Sequence, residues 1–190
     1  SRMIHSEATR DMTPQEYLGN LILLIVGGND TTRNSMSALP IVNARWPEEW
    51  AKIVADPALV PNAAQELIRW QTPLAHMRRT ALEDHDMGGK TIRAGDKVVL
   101  WYMSANRDES VFADAGRFVA TRDNARRHLA FGFGIHRCVG ARLAELQLAT
   151  LFEVLLDRGL MPIQTGEPVR VDNCFVHGYR KLPARLDRLE

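Results

Sequence analysis

The chain has 190 residues, of which 45% are hydrophobic and 25% are charged. This composition is that of an ordinary globular domain, and it excludes a disordered chain. Because 24 Lys and Arg side chains stand against 23 Asp and Glu side chains, a net charge of +1 gives no electrostatic reason to expect binding to nucleic acid or to an anionic membrane. The longest uncharged apolar run, residues 21–28, is too short to cross a bilayer.

The cysteines and the N-terminal residues bear on the compartment. Two cysteines, Cys138 and Cys174, do not make a disulfide framework. Residues 1–5 show no hydrophobic signal-peptide core. Both observations favour a reducing compartment, and we expect a cytoplasmic protein.

Residues 13–16 predict the start of a long helix. Thr13 suits the N-cap position, a proline follows it, and Glu16 stands three residues on. Apolar residues at helical spacing continue the pattern to Val26. We expect Gly27 and Gly28 to interrupt the helix, since a glycine inside a helix costs about 1 kcal/mol relative to alanine.

The rest of the chain mixes helices with short strands. Proline and glycine residues separate the apolar runs from one another. We expect helices over residues 46–55, 63–70 and 139–157, short strands over 79–101, an irregular stretch over 104–128 and hairpins over 161–189. The sequence therefore predicts a mainly α fold with small peripheral β-sheets.

The segment from Phe131 to Gly140 carries the strongest chemical signal. Its three glycines allow unusual backbone dihedrals and close approach to a flat object. Cys138 directly precedes a predicted helix, whose free N–H groups stabilise a thiolate. Such a thiolate can be a nucleophile, a redox thiol or a metal ligand, but no second Cys or His stands at a spacing typical of tetrahedral zinc.

This segment resembles the haem-binding loop of the cytochrome P-450 haem-thiolate monooxygenases, Phe-Gly-x-Gly-x-His/Arg-x-Cys-x-Gly, with every fixed position present. The resemblance implies the cytochrome P-450 fold, haem b (iron protoporphyrin IX) as cofactor, O2 as co-substrate and Cys138 as the metal ligand. It also implies further haem contacts from Phe131, Gly132, His136, Gly140, Gly27 and Arg79.

Glu66 and Arg69 form a Glu-x-x-Arg pair on a predicted helix. Alone, such a pair is typical of a surface salt bridge worth a few tenths of a kcal/mol. The family has this motif buried and paired with a further arginine. The resemblance therefore implies a structural network of Glu66, Arg69 and Arg117 that holds the cysteine loop.

Residues 27–32 resemble the family motif Ala/Gly-Gly-x-Asp/Glu-Thr-Thr. Without context the same residues could be a helix kink whose polar side chains face solvent. With haem, Asp30 and Thr31 are the implied catalytic residues. The Thr31 hydroxyl would hydrogen-bond bound dioxygen or a water, and Asp30 would relay protons from solvent.

Residues 78–84 resemble the family segment whose arginine binds a haem propionate. Arg79 fits that register, and Arg78 is the alternative. A guanidinium binds a carboxylate with two parallel hydrogen bonds. A pair of surface arginines without a ligand is the other interpretation of these residues.

The resemblance also places the substrate pocket. Its implied lining is mostly apolar, although apolar side chains are also ordinary core residues. The lining comprises Val26, Gly27, Leu74, Ala75, Met77, Phe175 and Val176. Longer stretches look like the soluble bacterial alkane hydroxylases of the family, which implies a small apolar substrate, a medium-chain alkane or fatty acid, oxidised often at its terminal carbon.

No flavin or nicotinamide fingerprint is visible, so electrons are expected from separate proteins. The resemblance implies a 2Fe-2S ferredoxin and a ferredoxin reductase, with NAD(P)H used only indirectly through the reductase. Arg126, Arg127, Arg137 and Arg142 lie near the cysteine loop and could dock an acidic ferredoxin. A solvated basic face is an equally good interpretation of these four residues.

The resemblance makes residues 1–190 the C-terminal part of a single haem-binding monooxygenase domain, whose N-terminal part is absent from this sequence. Two alternatives stay open at this point. One is a non-catalytic haem-thiolate binding or sensor module, or an inactive fragment. The other is a helical scaffold with an inert Cys138, which requires every motif to be coincidental.

Overall fold

The computed structural model describes residues 2–189 and the side chains of residues 3–189. Its helices are α1 (Arg2–His5), α2 (Pro14–Ser37), α3 (Leu39–Arg45), α4 (Pro47–Ala55), α5 (Val60–Gln71), α6 (Tyr102–Ala105) and α7 (Ala141–Asp157). Its strands are β1 (Met77–Thr80), β2 (His85–Met87), β3 (Lys90–Ile92), β4 (Lys97–Leu100), β5 (Leu160–Gln164), β6 (Val169–Arg170), β7 (Tyr179–Lys181) and β8 (Ala184–Arg188). The predicted mainly α fold with small β-sheets is confirmed.

The strands pair into small antiparallel sheets of two strands each, β1 with β4, β2 with β3, β5 with β8, and β6 with β7. The β2–β3 hairpin is inserted between β1 and β4, and β6–β7 is inserted between β5 and β8 in the same way. An isolated bridge between Leu74 and Val176 joins the chain before β1 to the turn before β7. The two sheet regions therefore meet beside the end of α5.

Helix α2 begins with the predicted capping box. The Glu16 N–H donates to Thr13 Oγ1 at 3.3 Å, and the Thr13 N–H donates to Glu16 Oε2 at 2.8 Å. The predicted break at Gly27 and Gly28 is wrong, because the helix runs unbroken to Ser37. A glycine permits a break without requiring one, and here the Thr31 hydroxyl adds a second hydrogen bond to the Gly27 carbonyl at 2.6 Å.

The hydrophobic core lies between α3, α4, α5 and α7. Trp50 of α4 stacks on Phe152 of α7 with ring centroids 5.8 Å apart, and both side chains are buried. Helix α5 lies at the centre, since ten of its twelve residues are buried. Its polar side chains are therefore internal, and each of them needs a hydrogen-bonding partner.

One apolar stretch of α2 remains uncovered on all sides within the described part of the chain. The six residues from Leu21 to Val26 are each between 37% and 68% exposed. Apolar patches of this size mark a surface that contacts a ligand or further protein. No helix in residues 2–189 is both long enough and apolar enough to cross a membrane.

Candidate cofactor site

The cysteine loop is closed by a backbone hydrogen bond between its two ends. The Cys138 N–H donates to the Phe131 carbonyl at 2.8 Å. Gly132 and Gly134 have φ angles of +71° and +72°, which favour glycine. A Cβ at Gly132 would also lie 3.0 Å from the Tyr102 hydroxyl oxygen. Glycine is therefore required at 132 by both dihedral angle and space.

Cys138 is exposed at the end of this loop. Its predicted position directly before the helix is wrong by two residues, because α7 begins at Ala141 with Gly140 as its N-cap. A short 3-10 helix over Gly134–His136 lies within the loop before Cys138, and a turn at residues 139–140 separates Cys138 from α7. The sulfur therefore lies near the helix start without being part of its first turn.

The surroundings of the sulfur fit a flat apolar cofactor. Phe133, Ile135 and Val139 on the same loop are 80%, 98% and 93% exposed. Helix α2, which carries the uncovered apolar stretch, packs against α7, the helix that follows the loop. Within residues 2–189 no three His, Cys, Asp or Glu side chains lie close enough to hold a metal ion together. A single soft sulfur among apolar side chains suits the axial ligation of haem iron.

The predicted catalytic pair lies on the middle of α2. The Thr31 hydroxyl donates to the Gly27 carbonyl, so its lone pairs stay free to accept a hydrogen bond. Asp30 Oδ1 accepts from Arg33 Nη2 at 2.8 Å, and about half of the Asp30 side chain is exposed. Asp30 can therefore exchange protons with solvent beside a hydroxyl that can receive a donor.

Glu66 and Arg69 form a buried pair with two hydrogen bonds. Arg69 Nε and Nη2 donate to Glu66 Oε2 and Oε1 at 2.7 and 2.8 Å, and both side chains are 0% exposed. Arg69 also donates to the carbonyls of Asn106, Ala115 and Arg117. One side chain of α5 therefore holds three points of the irregular segment.

The prediction that Arg117 completes this network is wrong. Arg122 Nε donates to Glu66 Oε1 at 2.9 Å, and the Arg122 side chain is 5% exposed. The Arg117 carbonyl accepts from Arg69, whereas its half-exposed side chain contacts Glu48 and Glu49 of α4. Both arginines lie in the same irregular segment, and nothing in their sequence spacing distinguishes them.

Asn106 is a member of the site that sequence reasoning missed. It is fully buried, it accepts from the Leu129 N–H at 2.7 Å, and it donates to Thr72 Oγ1 at 2.9 Å. Its carbonyl accepts from Arg69. Asn106 therefore connects the Glu66–Arg69 pair to Leu129, which lies just before the cysteine loop. An asparagine in a polar irregular stretch carries no sequence signal for this role.

Strand β1 separates the two candidate propionate arginines. Its burial alternates, so that Met77 and Arg79 are half-buried whereas Arg78 and Thr80 are exposed. Side chains two residues apart share one face of a strand. Arg79 therefore shares a face with the predicted pocket residue Met77, and Arg78 lies on the opposite face.

The structure joins the two predicted pocket segments that flank the sheets. The Ala75 N–H donates to the Phe175 carbonyl at 2.8 Å, and Leu74 bridges Val176. His76 lies beside them, with its ring 4.7 Å from that of Trp101.

Val26 lies in the uncovered stretch of α2, and no other side chain among residues 3–189 lies within 4 Å of a Cβ placed on Gly27. His136, the predicted propionate contact, is exposed on the loop. The four arginines suggested for docking, Arg126, Arg127, Arg137 and Arg142, are all exposed.

His128 is a buried titratable residue on the approach to the loop. Burial lowers the pKa of its imidazole from 6.5 to about 4, helped by Arg137 and Arg69 and opposed by Glu145. Its Nδ1 accepts from the Ala130 N–H at 3.2 Å, and its Nε2 lies 3.1 Å from Gln65 Oε1. The folded chain therefore favours the neutral form of the His128 imidazole.

This burial predicts a pH-dependent stability. The unfolded chain binds the His128 proton more tightly than the folded chain. The neutral ring therefore contributes fully to the free energy of unfolding above pH 6.5, and this contribution is lost as the pH falls toward 4. We expect the loss to be about 3 kcal/mol in the free energy of unfolding. Urea unfolding of the wild type and of His128→Asn at several pH values measures it. Parallel pH curves for the two proteins would contradict the prediction.

Comparisons with known proteins agree with the motifs. The family model described as Cytochrome P450 matches residues 2–174. Linalool 8-monooxygenase of Pseudomonas putida is 51% identical over 168 residues, which cover 88% of this chain and 41% of that protein. A methyl-branched lipid omega-hydroxylase of Mycobacterium tuberculosis is 40% identical over 188 residues, which cover 96% of this chain and 43% of that protein.

Solved structures give the same result for the fold. Cytochrome P450-153 from Novosphingobium aromaticivorans matches with a TM-score of 0.92 and 56% identity, over 97% of this chain and 47% of that one. CYP153D17 from Sphingomonas sp. PAMC 26605 matches with a TM-score of 0.94 and 62% identity, over 99% and 47% of the two chains. The chain therefore spans less than half the length of these relatives.

Proposed function

Because the chain belongs to the cytochrome P450 family and has its fold, we propose that it is the haem-binding part of a monooxygenase that hydroxylates medium-chain alkanes or fatty acids. The observation that carries the proposal is the exposed Cys138 thiol, held in a loop that two positive-φ glycines and one backbone hydrogen bond shape. Residues 1–190 are then the C-terminal part of one domain.

The residues of this chain that would hold haem b come from the loop and from β1. Cys138 would ligate the iron, and Phe131, Gly132, His136 and Gly140 would line the cofactor on the loop side. Arg79 would bind a propionate, because a guanidinium binds a carboxylate with two parallel hydrogen bonds and Arg79 shares a face of β1 with Met77. The bound haem supplies O2 activation and oxygen insertion into a C–H bond, and the thiolate ligand favours O–O cleavage.

The protein's own contribution is to position groups and to deliver protons. Arg69 and Arg122 neutralise Glu66 and hold the irregular segment, which fixes the approach to Cys138. Asp30 would take protons from solvent, since its carboxylate is about half exposed. Thr31 would accept a hydrogen bond from a water beside α2 and so hold that water in place as the proton donor.

Thr31→Ala is expected to leave the thiolate-type CO-difference spectrum intact and to divert electrons from product to hydrogen peroxide. The loss of the hydroxyl removes the acceptor that orders the proton donor, and we expect the product formed per NAD(P)H to fall on the order of tenfold. Parallel assays of NAD(P)H, product and peroxide measure the coupling. Thr31→Ser keeps the hydroxyl and should keep the coupling. Normal coupling in Thr31→Ala would refute the relay.

The substrate class rests on the pocket residues and on the relatives. Leu74, Met77, Phe175 and Val176 offer an apolar wall, which suits a hydrocarbon chain. One relative is named an omega-hydroxylase of methyl-branched lipids, and another is named for linalool. Both names describe the oxidation of a largely apolar molecule, which supports an apolar substrate.

Electrons would come from a 2Fe-2S ferredoxin and its reductase, which draws on NAD(P)H. The exposed arginines near the loop, Arg126, Arg127 and Arg137, offer a basic surface for an acidic ferredoxin. Arg142 contributes less, because Glu145 pairs with it at 2.8 Å. This electron supply is the reason to propose a cytoplasmic location.

The CO-difference spectrum of the reduced protein, measured together with its haem-to-protein ratio, tests the proposal. A thiolate-type spectrum at one haem per chain supports it, and its absence excludes it. A non-catalytic haem-thiolate module is the second candidate, favoured by the uncovered apolar stretch of α2 in residues 2–189. Turnover of an alkane or fatty acid with a surrogate ferredoxin separates the two candidates.

A further inference from the structure

Residues 129–131, which lead into the cysteine loop, are each held by at least one hydrogen bond. The Leu129 N–H donates to Asn106 Oδ1, and the Ala130 N–H donates to His128 Nδ1. The Phe131 carbonyl accepts from the Cys138 N–H. The position of Cys138 therefore depends on the backbone that His128 holds.

These contacts determine where the proton of the His128 ring lies. A backbone N–H can only donate, so Nδ1 is the unprotonated acceptor for Ala130. Nε2 then carries the proton and donates to Gln65 Oε1. Gln65 is itself 3% exposed on α5, next to Glu66. The ring is thus connected to the helix that carries the buried ion pair.

A second proton on the ring would break this arrangement. It would place an Nδ1–H against the Ala130 N–H, two donors at 3.2 Å. The ring centroids of His128 and Phe131 also lie 5.3 Å apart, so a movement of one ring displaces the other. Cys138 is joined to Phe131 by the hydrogen bond that closes the loop.

We propose that Gln65 and His128 are a positioning pair that holds the loop in the shape that presents Cys138, and that it does so only while the imidazole is neutral. This inference rests on the proposed haem ligation by Cys138. It assigns no contact with the cofactor or substrate to either residue. Their effect passes through Ala130 and Phe131 to the sulfur.

The charged groups that face the ring come from three elements. Arg69 of α5 and Arg137 of the loop oppose a positive ring, and Glu145 of α7 favours one. Gln65 is neutral and donates no charge to the balance. A carboxylate at position 65 would lie within hydrogen-bond distance of the ring. It would therefore favour the protonated, positively charged form of His128.

Gln65→Glu tests the proposal in the haem-loaded protein. The measurement is the fraction of the thiolate-type CO-difference spectrum as a function of pH. The new carboxylate stabilises the imidazolium, so the pH at which half of that spectrum is lost should rise by about one pH unit or more. Gln147→Glu, on the exposed face of α7, adds the same charge and should leave the midpoint unchanged.

A second substitution separates this effect from general damage. His128→Asn offers Oδ1 as an acceptor for the Ala130 N–H without a titratable ring. In the Gln65→Glu background it should restore the midpoint to the wild-type value or below. His128→Leu removes the acceptor and should lower the thiolate-type fraction even at neutral pH.

Two results would overturn the positioning role. In the first, NMR titration shows that the His128 ring of Gln65→Glu binds its proton at higher pH, yet the pH at which half of the thiolate-type spectrum is lost stays at the wild-type value. The other is a His128→Leu protein whose spectrum matches the wild type at every pH. Failure of the proposed function looks different, because the wild type itself would then lack a thiolate-type spectrum at all pH values.

Discussion

Cys138→Ala is expected to abolish the thiolate-type CO-difference spectrum, whereas Cys174→Ala leaves it unchanged. Both cysteines are exposed and unpaired in the structure, so they form a matched pair of substitutions. Only Cys138 lies in a loop shaped by glycines and surrounded by exposed apolar side chains. A thiolate ligand is what gives this spectrum its character, so loss of one sulfur removes it entirely.

Spectra of the reduced proteins with CO, recorded beside haem-to-protein ratios, measure the effect. Far-UV circular dichroism of the same samples shows whether Cys138→Ala retains its helices. A thiolate-type spectrum that survives in Cys138→Ala and disappears in Cys174→Ala would show that Cys174 is the ligand and contradict the prediction. Its survival in both variants would remove cysteine ligation from the proposal.

Arg122→Ala is expected to lower the free energy of unfolding by about 3–5 kcal/mol, because it leaves a buried carboxylate with one cation fewer. Arg122 also donates to the carbonyls of Ala113, Asp114 and Arg117, which lose these partners. Arg117→Ala breaks a contact with the half-exposed Glu48 and a 3.9 Å contact with the buried Glu49, which keeps Lys52 as its partner at 2.8 Å. It should cost about 1 kcal/mol or less.

Urea unfolding of both variants against the wild type measures the difference. Arg122→Lys is an informative third protein, because an ammonium keeps the charge but cannot reach several acceptors with a planar fork. It should fall between the wild type and Arg122→Ala. A larger loss for Arg117→Ala than for Arg122→Ala would restore Arg117 to the network and contradict the geometry.

Local patterns were enough to predict several features. The capping box at Thr13 and Glu16 involves residues three apart, and its hydrogen bonds are made within one turn. The loop motif around Cys138 also lies within ten residues, and its glycines are needed for the local φ angles. In β1, which begins two residues before the predicted strand region, Met77 and Arg79 share a face, as the two-residue period of a strand requires.

The errors arose where distant residues compete for one partner. Glu66 accepts a hydrogen bond from Arg122, which is 56 residues away in the sequence. The side chain of Arg117, five residues nearer, contacts Glu48 and Glu49 instead. Whether Gly27 and Gly28 break α2 likewise depends on the surroundings, and Thr31 adds a hydrogen bond across the expected break. Propensity alone does not decide such cases, since tertiary contacts override it.

The sequence by itself determined the helix start, the glycine-shaped cysteine loop and the family, because each of these is a short-range pattern of residue types. Only the tertiary structure decided which arginine completes the buried ion pair and that Asn106, Gln65 and His128 support the loop. The physical reason is that burying α5 forces its polar side chains to find hydrogen-bonding partners, and the fold alone determines which distant groups are within reach.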